Sequence, residues 1–184
     1  MNVTPQGGFP TEIMIRSERE EDIPAIHAVN REAFPTDAEA RLVDALREAN
    51  RLFVSLVAEI DGGVVGHIAF SPVSLDSAPG LVGGVGLGPL AVLPDWQGRG
   101  VGSRLVRNGL AECTRLGYAY VVLLGAPGYY HRFGFSPASG FGLGNEYGAG
   151  DEFMALALRE GRLPELPGIV HYSPEFVLST VTKL

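Results

Sequence analysis

Cysteine and lysine each occur once in the 184 residues, as Cys113 and Lys183. One thiol can form neither an intrachain disulfide nor a cysteine-ligated zinc site, which fits a reducing compartment. Cys113 falls on a helical stripe with Leu105 and Leu116 and reads as a small buried residue, not a nucleophile. A P-loop needs a lysine directly after its last glycine, and Lys183 follows no such loop, so hydrolysis of nucleoside triphosphates is disfavoured. No apolar run approaches the roughly 18 residues of a membrane span. The N-terminus lacks a basic start and a hydrophobic signal core, so a cytoplasmic protein without membrane partners is expected. Basic residues are scarce too, 14 against 21 acidic ones, for a net charge of −7. That balance disfavours nucleic-acid backbones and favours a cationic partner such as an amine. The four histidines, His27, His67, His131 and His171, are scattered without ligand spacing, and no metal is expected.

What is abundant is glycine, 25 residues, beside 46% hydrophobic residues, a composition suited to an α/β chain with many tight turns. At this length one domain burying roughly 70% of its unfolded surface is expected. Residues 1–12, with Pro5, Gly7, Gly8 and Pro10, read as a flexible extension, and residues 13–184 as the domain. A strand is predicted over Ile13–Arg16. A helix capped by Asp22 follows, and then a second capped by Asp37. Phe53–Ile60 and Val64–Val73 form a hairpin around Asp61-Gly62-Gly63, and Ser74–Gly80 is a polar loop. Next come the strand Leu90–Leu93, a helix over Gly100–Leu116, a strand over Ala119–Leu124, a short helix at Gly128–Phe133, and strands near Phe135 and Phe153–Leu158. An early hairpin followed by a strand-helix-strand crossover implies a mixed, mostly antiparallel sheet with helices on both faces. Within the C-terminal part, residues 139–184, Gly140–Gly150 is either a flap over a pocket or a long exposed turn. Prolines 164, 167 and 174 rule out one continuous helix over Leu163–Phe176, which is expected to pack as loops.

The densest chemical signal lies at Leu90-Ala91-Val92-Leu93-Pro94-Asp95-Trp96-Gln97-Gly98-Arg99-Gly100-Val101-Gly102-Ser103, where a strand ends in a glycine turn that opens a helix. Unpaired N–H groups at a helix start, together with the positive end of its dipole, favour a phosphate or diphosphate. The spacing Gly98-x-Gly100-x-Gly102 is not the Gly-x-Gly-x-x-Gly of a dinucleotide site, and no acidic residue closes a strand about 20 residues on. Gly84-x-Gly86-x-Gly88 precedes a strand, not a helix.

Gln97-Gly98-Arg99-Gly100-Val101-Gly102 after Leu90-Ala91-Val92-Leu93-Pro94 resembles the GNAT superfamily of N-acetyltransferases. A second match is Tyr129-Tyr130-His131-Arg132-Phe133-Gly134-Phe135. With Glu39, Leu42, Val43, Leu46 and Arg47 near the start, it resembles a bacterial subgroup with a C-terminal extension. The resemblance runs from about Ile15 to Phe176. It implies acetyl-coenzyme A as co-substrate, its diphosphate on the backbone of Gln97, Gly98, Arg99, Gly100, Val101, Gly102 and Ser103. It further implies that a strand including Leu90, Ala91 and Val92 splays from its neighbour, with the N–H near Leu90 facing the thioester oxygen and Val92 pairing with the pantetheine. Gly86 and Gly88 would permit that close approach. Tyr130, four residues before Gly134-Phe135, would point at the sulfur.

Acetyl transfer to an amine needs a held cofactor, a polarised carbonyl, a neutral nucleophile and a protonated leaving thiolate. A phenol is protonated at neutral pH, which suits Tyr130 as general acid, while Tyr129 reads as core. The base stays unassigned, because Gly86-Leu87-Gly88-Pro89 stands where many members of the family carry a glutamate. Glu39, Glu59, His67 and Glu146 are candidates, with Glu39 and Glu146 also offered as substrate contacts, although a glutamate on an amphipathic helix is ordinarily solvated. Arg132 can serve the coenzyme phosphates or the surface. The acceptor is a small-molecule or peptide amine, and a homodimer is left open. The rival reading is a non-catalytic sensor or scaffold of the same fold that binds acyl-coenzyme A.

Overall fold

Asp61 and Gly62, at φ 50° and 79°, close the turn between β2 (Val54–Ile60) and β3 (Gly63–Pro72). Two successive positive φ values match the right-handed twist of the flanking strands. The turn is thus one residue shorter than the sequence suggests, and Gly63 already pairs with Ile60. In this computed structural model, residues 12–77, 83–159 and 167–178 are described. All but the last residue of the expected extension 1–12, the end of the predicted polar loop, and residues 160–166 and 179–184 of the C-terminal region lie outside them.

Around this hairpin the main sheet has the order β1-β2-β3-β5-β6-β9-β7. Its other members are β1 (Met14–Ser17), β5 (Gly84–Val92), β6 (Tyr120–Leu124), β7 (Ser136–Pro137) and β9 (Phe153–Ala157). Every neighbouring pair is antiparallel except β5 with β6, which follow the crossover through α3 (Val101–Arg115). Alternation along the strands gives the sheet two apolar faces. Val101, Leu105, Val106 and Cys113 of α3 join Leu56, Ile68 and Phe70 in the core on one face. On the other, Ile26 of α1 (Ile23–Ala33) and Val43 of α2 (Ala38–Glu48) meet Val57. Burial pushes the Cys113 thiol up to about 12, which suits the inert reading, while Leu116 just past the helix is exposed.

Asp22 does not cap α1 with its side chain as expected. It ends a 3₁₀ turn, Glu20–Asp22, and its carboxylate reaches back to accept from the Arg19 N–H at 2.7 Å and from Arg16 at 2.6 and 2.9 Å. Arg16 also donates to Glu59 at 2.8 Å, so one guanidinium ties β1, β2 and the start of α1 together. The Arg16 hydrogen bonds hold the Asp22 carboxyl down at about 2.

The C-terminal part holds more structure than the predicted loops. Strands β4 (Ser74–Leu75), β8 (Leu143–Asn145) and β10 (Gly168–His171) make a second sheet in the order β4-β10-β8. The Gly140–Gly150 segment is therefore anchored by β8. The Asn145 side chain folds the turn beyond it by accepting from the N–H groups of Tyr147 and Ala149. A one-turn helix, α4 (Pro127–Tyr130), follows β6, and after β10 another short helix, α5 (Glu175–Leu178), lies against α2.

Candidate functional site

The pairing of β5 with β6 runs from Gly84–Tyr120 to Leu87–Leu123 and stops there. At the same point the register of β5 against β3 shifts, Phe70 facing Leu87 and Ile68 facing Leu90, so that Gly88 and Pro89 form a bulge. A bulge re-aims the strand that carries it, and beyond Gly88 strand β5 has no partner on its β6 side among the described residues. Leu93 donates to Val65 O at 3.0 Å, which makes Leu93–Val65 a hydrogen-bonded pair, and with it Ala91–His67 two residues back. Leu90 and Val92 accordingly turn their N–H and C=O groups away from β3, into the opening. Gln97 Nε2 donates to Val92 O at 3.0 Å, as that direction requires. Ala91 between them faces β3 and is buried, so it is not presented as its neighbours are.

Leu90, Val92, Trp96, Gln97, Gly98 and Ser103 line part of a cleft of about 440 Å³ that opens here, with Gly100, Gly102, Tyr129 and Arg132 on its remaining wall. Gly100 caps α3 in the left-handed region at φ 85°, a conformation that costs an ordinary residue roughly 1–2 kcal/mol. The first helical hydrogen bond of α3 is Arg104 N–H to Gly100 O, so the amides of Val101, Gly102 and Ser103 have no helical acceptor and face the cleft end. Within 4 Å of where a side chain would begin at Gly98 or Gly100 there is open space. Among the described residues no carboxylate lines the cleft, whereas Arg132 does, and Arg99 stacks over Trp96 at 5.1 Å. On an acidic chain this is a locally cationic pocket built for an anion.

Tyr129 and Tyr130 stand edge to face at 5.0 Å between ring centres. The Tyr129 ring packs against the core while its hydroxyl reaches the cleft, 2.8 Å from where a Cβ at Gly102 would lie. The sequence reading of Tyr129 as core missed this second role. Arg132 sits over the same ring at 4.7 Å and donates from Nε to Tyr129 O. Tyr130 leans on Gly125 at the end of β6 and on Phe135. Burial pushes its phenol up to about 12, which keeps the proton on the oxygen at neutral pH.

The other predicted groups divide. Glu59 is engaged by Arg16, and Glu146 accepts from the Tyr172 N–H at 2.8 Å and pairs with His171 at 3.2 Å, so both have structural partners. His67 is fully buried, its Nδ1 3.1 Å from Asn30 Nδ2 and its Nε2 2.9 Å from Ser55 Oγ. Asn30 Nδ2 also donates to Ile26 O, which makes it the donor to Nδ1 and puts the imidazole proton on Nε2, toward Ser55. Burial drives the His67 pKa down to about 4. Glu39, in the first turn of α2, is not the solvated glutamate expected of an amphipathic helix: its Oε2 is buried without a hydrogen-bond partner among the described residues. Gly86 does not make room for a cofactor. A Cβ there would lie 2.6 Å from Tyr172 Cε1 and 3.1 Å from Val73 Cγ1, so the vacancy is filled from β10.

Tyr172 is among the residues that sequence reasoning missed, with Ser71 and Glu175. Tyr172 Oη, Ser71 Oγ and Glu175 Oε2 are buried and lack hydrogen-bond partners among the described residues. No local motif marks them: Ser71 faces Gly86 across β3 and β5, the Tyr172 ring fills the space at Gly86, and Glu175 lies on α5. Among the described residues no group of three or more His, Cys, Asp or Glu side chains could hold a metal ion, and no helix is long and apolar enough to cross a membrane.

A family model described as an acetyltransferase (GNAT) domain matches residues 49–137. The chain is 40% identical over 166 residues to the uncharacterized N-acetyltransferase YhbS of Escherichia coli strain K12, a match that covers 89% of this chain and 98% of that one. A crystal structure of E. coli YhbS in complex with CoA superimposes with a TM-score of 0.87 at 38% identity, covering 94% of this chain and 96% of the other. A GNAT family acetyltransferase from Brucella melitensis in complex with acetyl-CoA gives 0.75 at 41%, covering 91% and 99%.

Proposed function

The chain belongs to the GNAT family of acetyltransferases, and on that premise we propose that it moves the acetyl group of acetyl-coenzyme A directly onto an amine, in the cytoplasm, with Tyr130 as general acid. The diphosphate sits on the amides of Val101, Gly102 and Ser103, in a turn that Gly98 and Gly100 keep open, with Arg99 and Arg132 supplying positive charge. The pantetheine arm pairs with the free groups of Val92 as an added strand, and the Leu90 N–H polarises the thioester oxygen. Amine attack forms a tetrahedral intermediate, and Tyr130 gives its proton to sulfur as the C–S bond breaks.

One observation carries this reading: the N–H and C=O groups of Leu90 and Val92 point into an opening whose far end is the glycine turn. The structures of YhbS with CoA and of the Brucella protein with acetyl-CoA support it from outside. Calorimetry tests the binding half, with acetyl-coenzyme A expected to bind in preference to NAD or ATP. Thiol release over a panel of primary amines tests the transfer half. The stretch Gly86-Leu87-Gly88, with no carboxylate on β5, favours a sensor instead, and tight binding without amine-dependent thiol release would decide for it.

A further inference from the structure

Resting on the transferase reading above, we propose that the face of the strand opening covered by β10 and α5 is the acceptor site, that it takes a primary ammonium group, and that Glu175 binds this cation and receives its proton. Position is the first ground. Phe176, the next residue, places its ring 4.0 Å from where a Cβ at Gly88 would lie, and Gly88 is the first residue of β5 past its last pairing with β6. Glu175 is therefore one residue from the apex, the end of the opening opposite the glycine turn, where an extended cofactor held at that turn presents its thioester.

Partner count is the second ground. Glu175 Oε2 is buried with no hydrogen-bond partner among the described residues, and Oε1 comes only within 3.7 Å of Arg51 Nε, too far for a hydrogen bond. A buried carboxylate so poorly satisfied is costly to keep, and a cationic N–H donor relieves that cost. Two neutral acceptors in the same condition lie at Gly86, two residues before Gly88 on β5. The Tyr172 ring fills the space that Gly86 leaves and stands 5.0 Å from the Phe176 ring, and Ser71 pairs directly across from Gly86. Both are more than nine-tenths buried, two residues from Gly88 along β5 or its partner strand, and both hydroxyl oxygens are unpartnered among the described residues. An ammonium group brings three donors, and Glu175 Oε2 is an acceptor left without one among the described residues. Of the charged groups around Glu175, Arg51 follows α2, and Glu146, beside Tyr172, is already engaged by the Tyr172 N–H and His171.

The proton balance closes. One ammonium proton passes to the Glu175 carboxylate and from there to solvent, freeing the lone pair that attacks the thioester carbon. A second leaves the nitrogen as the tetrahedral adduct collapses and offsets the proton that Tyr130 gives to the departing sulfur. The third stays on the amide.

The test is thiol release from acetyl-coenzyme A by the full chain, against n-propylamine, an alkane diamine, an amino-acid amide and a lysine-containing peptide. Glu175→Gln should lower kcat/KM by about 10²- to 10⁴-fold, the usual worth of proton transfer by a placed group, and should erase the acidic limb of the pH profile while leaving acetyl-coenzyme A affinity within about twofold. Glu175→Asp, which keeps the acid on a shorter stem, should retain that limb at reduced kcat and serves if the glutamine variant does not fold. Wild-type rates and an unchanged limb in either variant would overturn the site. A wild-type chain that binds the coenzyme but acetylates none of the amines overturns the transferase reading and the acceptor site with it, an outcome distinct from a variant failure in an active enzyme.

Discussion

The two faces of the strand opening are built by opposite means. On the coenzyme side the chemistry is backbone: the amides of Leu90 and Val92 and of the first turn of α3 come from one continuous run, and side chains mostly stay out of the way. On the acceptor side it is side chains, with Ser71 on β3, Tyr172 after β10 and Glu175 on α5 gathered from distant parts of the chain. In the proposed reading the backbone side takes a diphosphate and a pantetheine arm. The side-chain side can be altered one residue at a time without touching the backbone that the other side uses.

The sharpest way to break this comparison is Tyr130→Phe, which removes the hydroxyl proposed as the general acid. It should leave acetyl-coenzyme A binding intact by calorimetry and slow kcat by about 10- to 10⁴-fold. Equal loss in Tyr129→Phe would move the acid to the tyrosine whose hydroxyl already reaches the cleft.

Next in size is the pH dependence of stability, which locates a weakness on the side-chain face. His67 titrates near 6.5 when unfolded and about 4 when folded, so between those values the unfolded chain binds a proton that the native one refuses. The stability present above pH 6.5 is lost as pH falls toward 4, on the order of 3 kcal/mol in all. Thermal midpoints should drop across that window, and His67→Gln should flatten the drop. The Asp22 contribution has a different window: it is complete above the ordinary carboxyl value of 3.8 and disappears as pH falls through about 2. Asp22→Asn should therefore leave the slope between pH 6.5 and 4 unchanged.

Smaller still, Gly86→Ala forces a methyl group against the Tyr172 ring at 2.6 Å and should destabilise the fold by roughly 1–3 kcal/mol, read by chemical denaturation. Gly100→Ala meets open space, and its cost is conformational, roughly 1–2 kcal/mol from φ 85°. The first should disturb the acceptor face and leave coenzyme affinity alone, and the second should do the reverse.

The same division decides what could be read from the sequence. The strand-turn-helix run was legible because its elements are adjacent and its glycines mark backbone geometry that no other residue adopts cheaply. The hairpin and the crossover followed from apolar periodicity, but β5 begins at Gly84, six residues before the expected strand Leu90–Leu93, so the glycines read as preceding the strand lie within it, where they break the apolar pattern. Gly140–Gly150 and the proline-rich tail were not legible, because β8 and β10 are short strands stabilised by each other and by Asn145, not by any local pattern. Glu39 was left between a site role and a solvated one, and Gly86 was misread, for one reason. Whether a carboxylate is wet or a glycine is vacant depends on what a distant segment puts beside it, here an unpartnered buried oxygen in one case and the Tyr172 ring in the other.

The parallel ladder between β5 and β6 ends after four residue pairs, at Leu87 and Leu123, so the sheet carries an unfilled rung. A donor that lies along β5 becomes a temporary member of the secondary structure, and its departure as free thiol is a local melting event. Occupancy of that rung should slow hydrogen exchange at the amides of Leu90 and Val92, and the speed of turnover then has a ceiling set by how fast a sheet can give up one of its own strands.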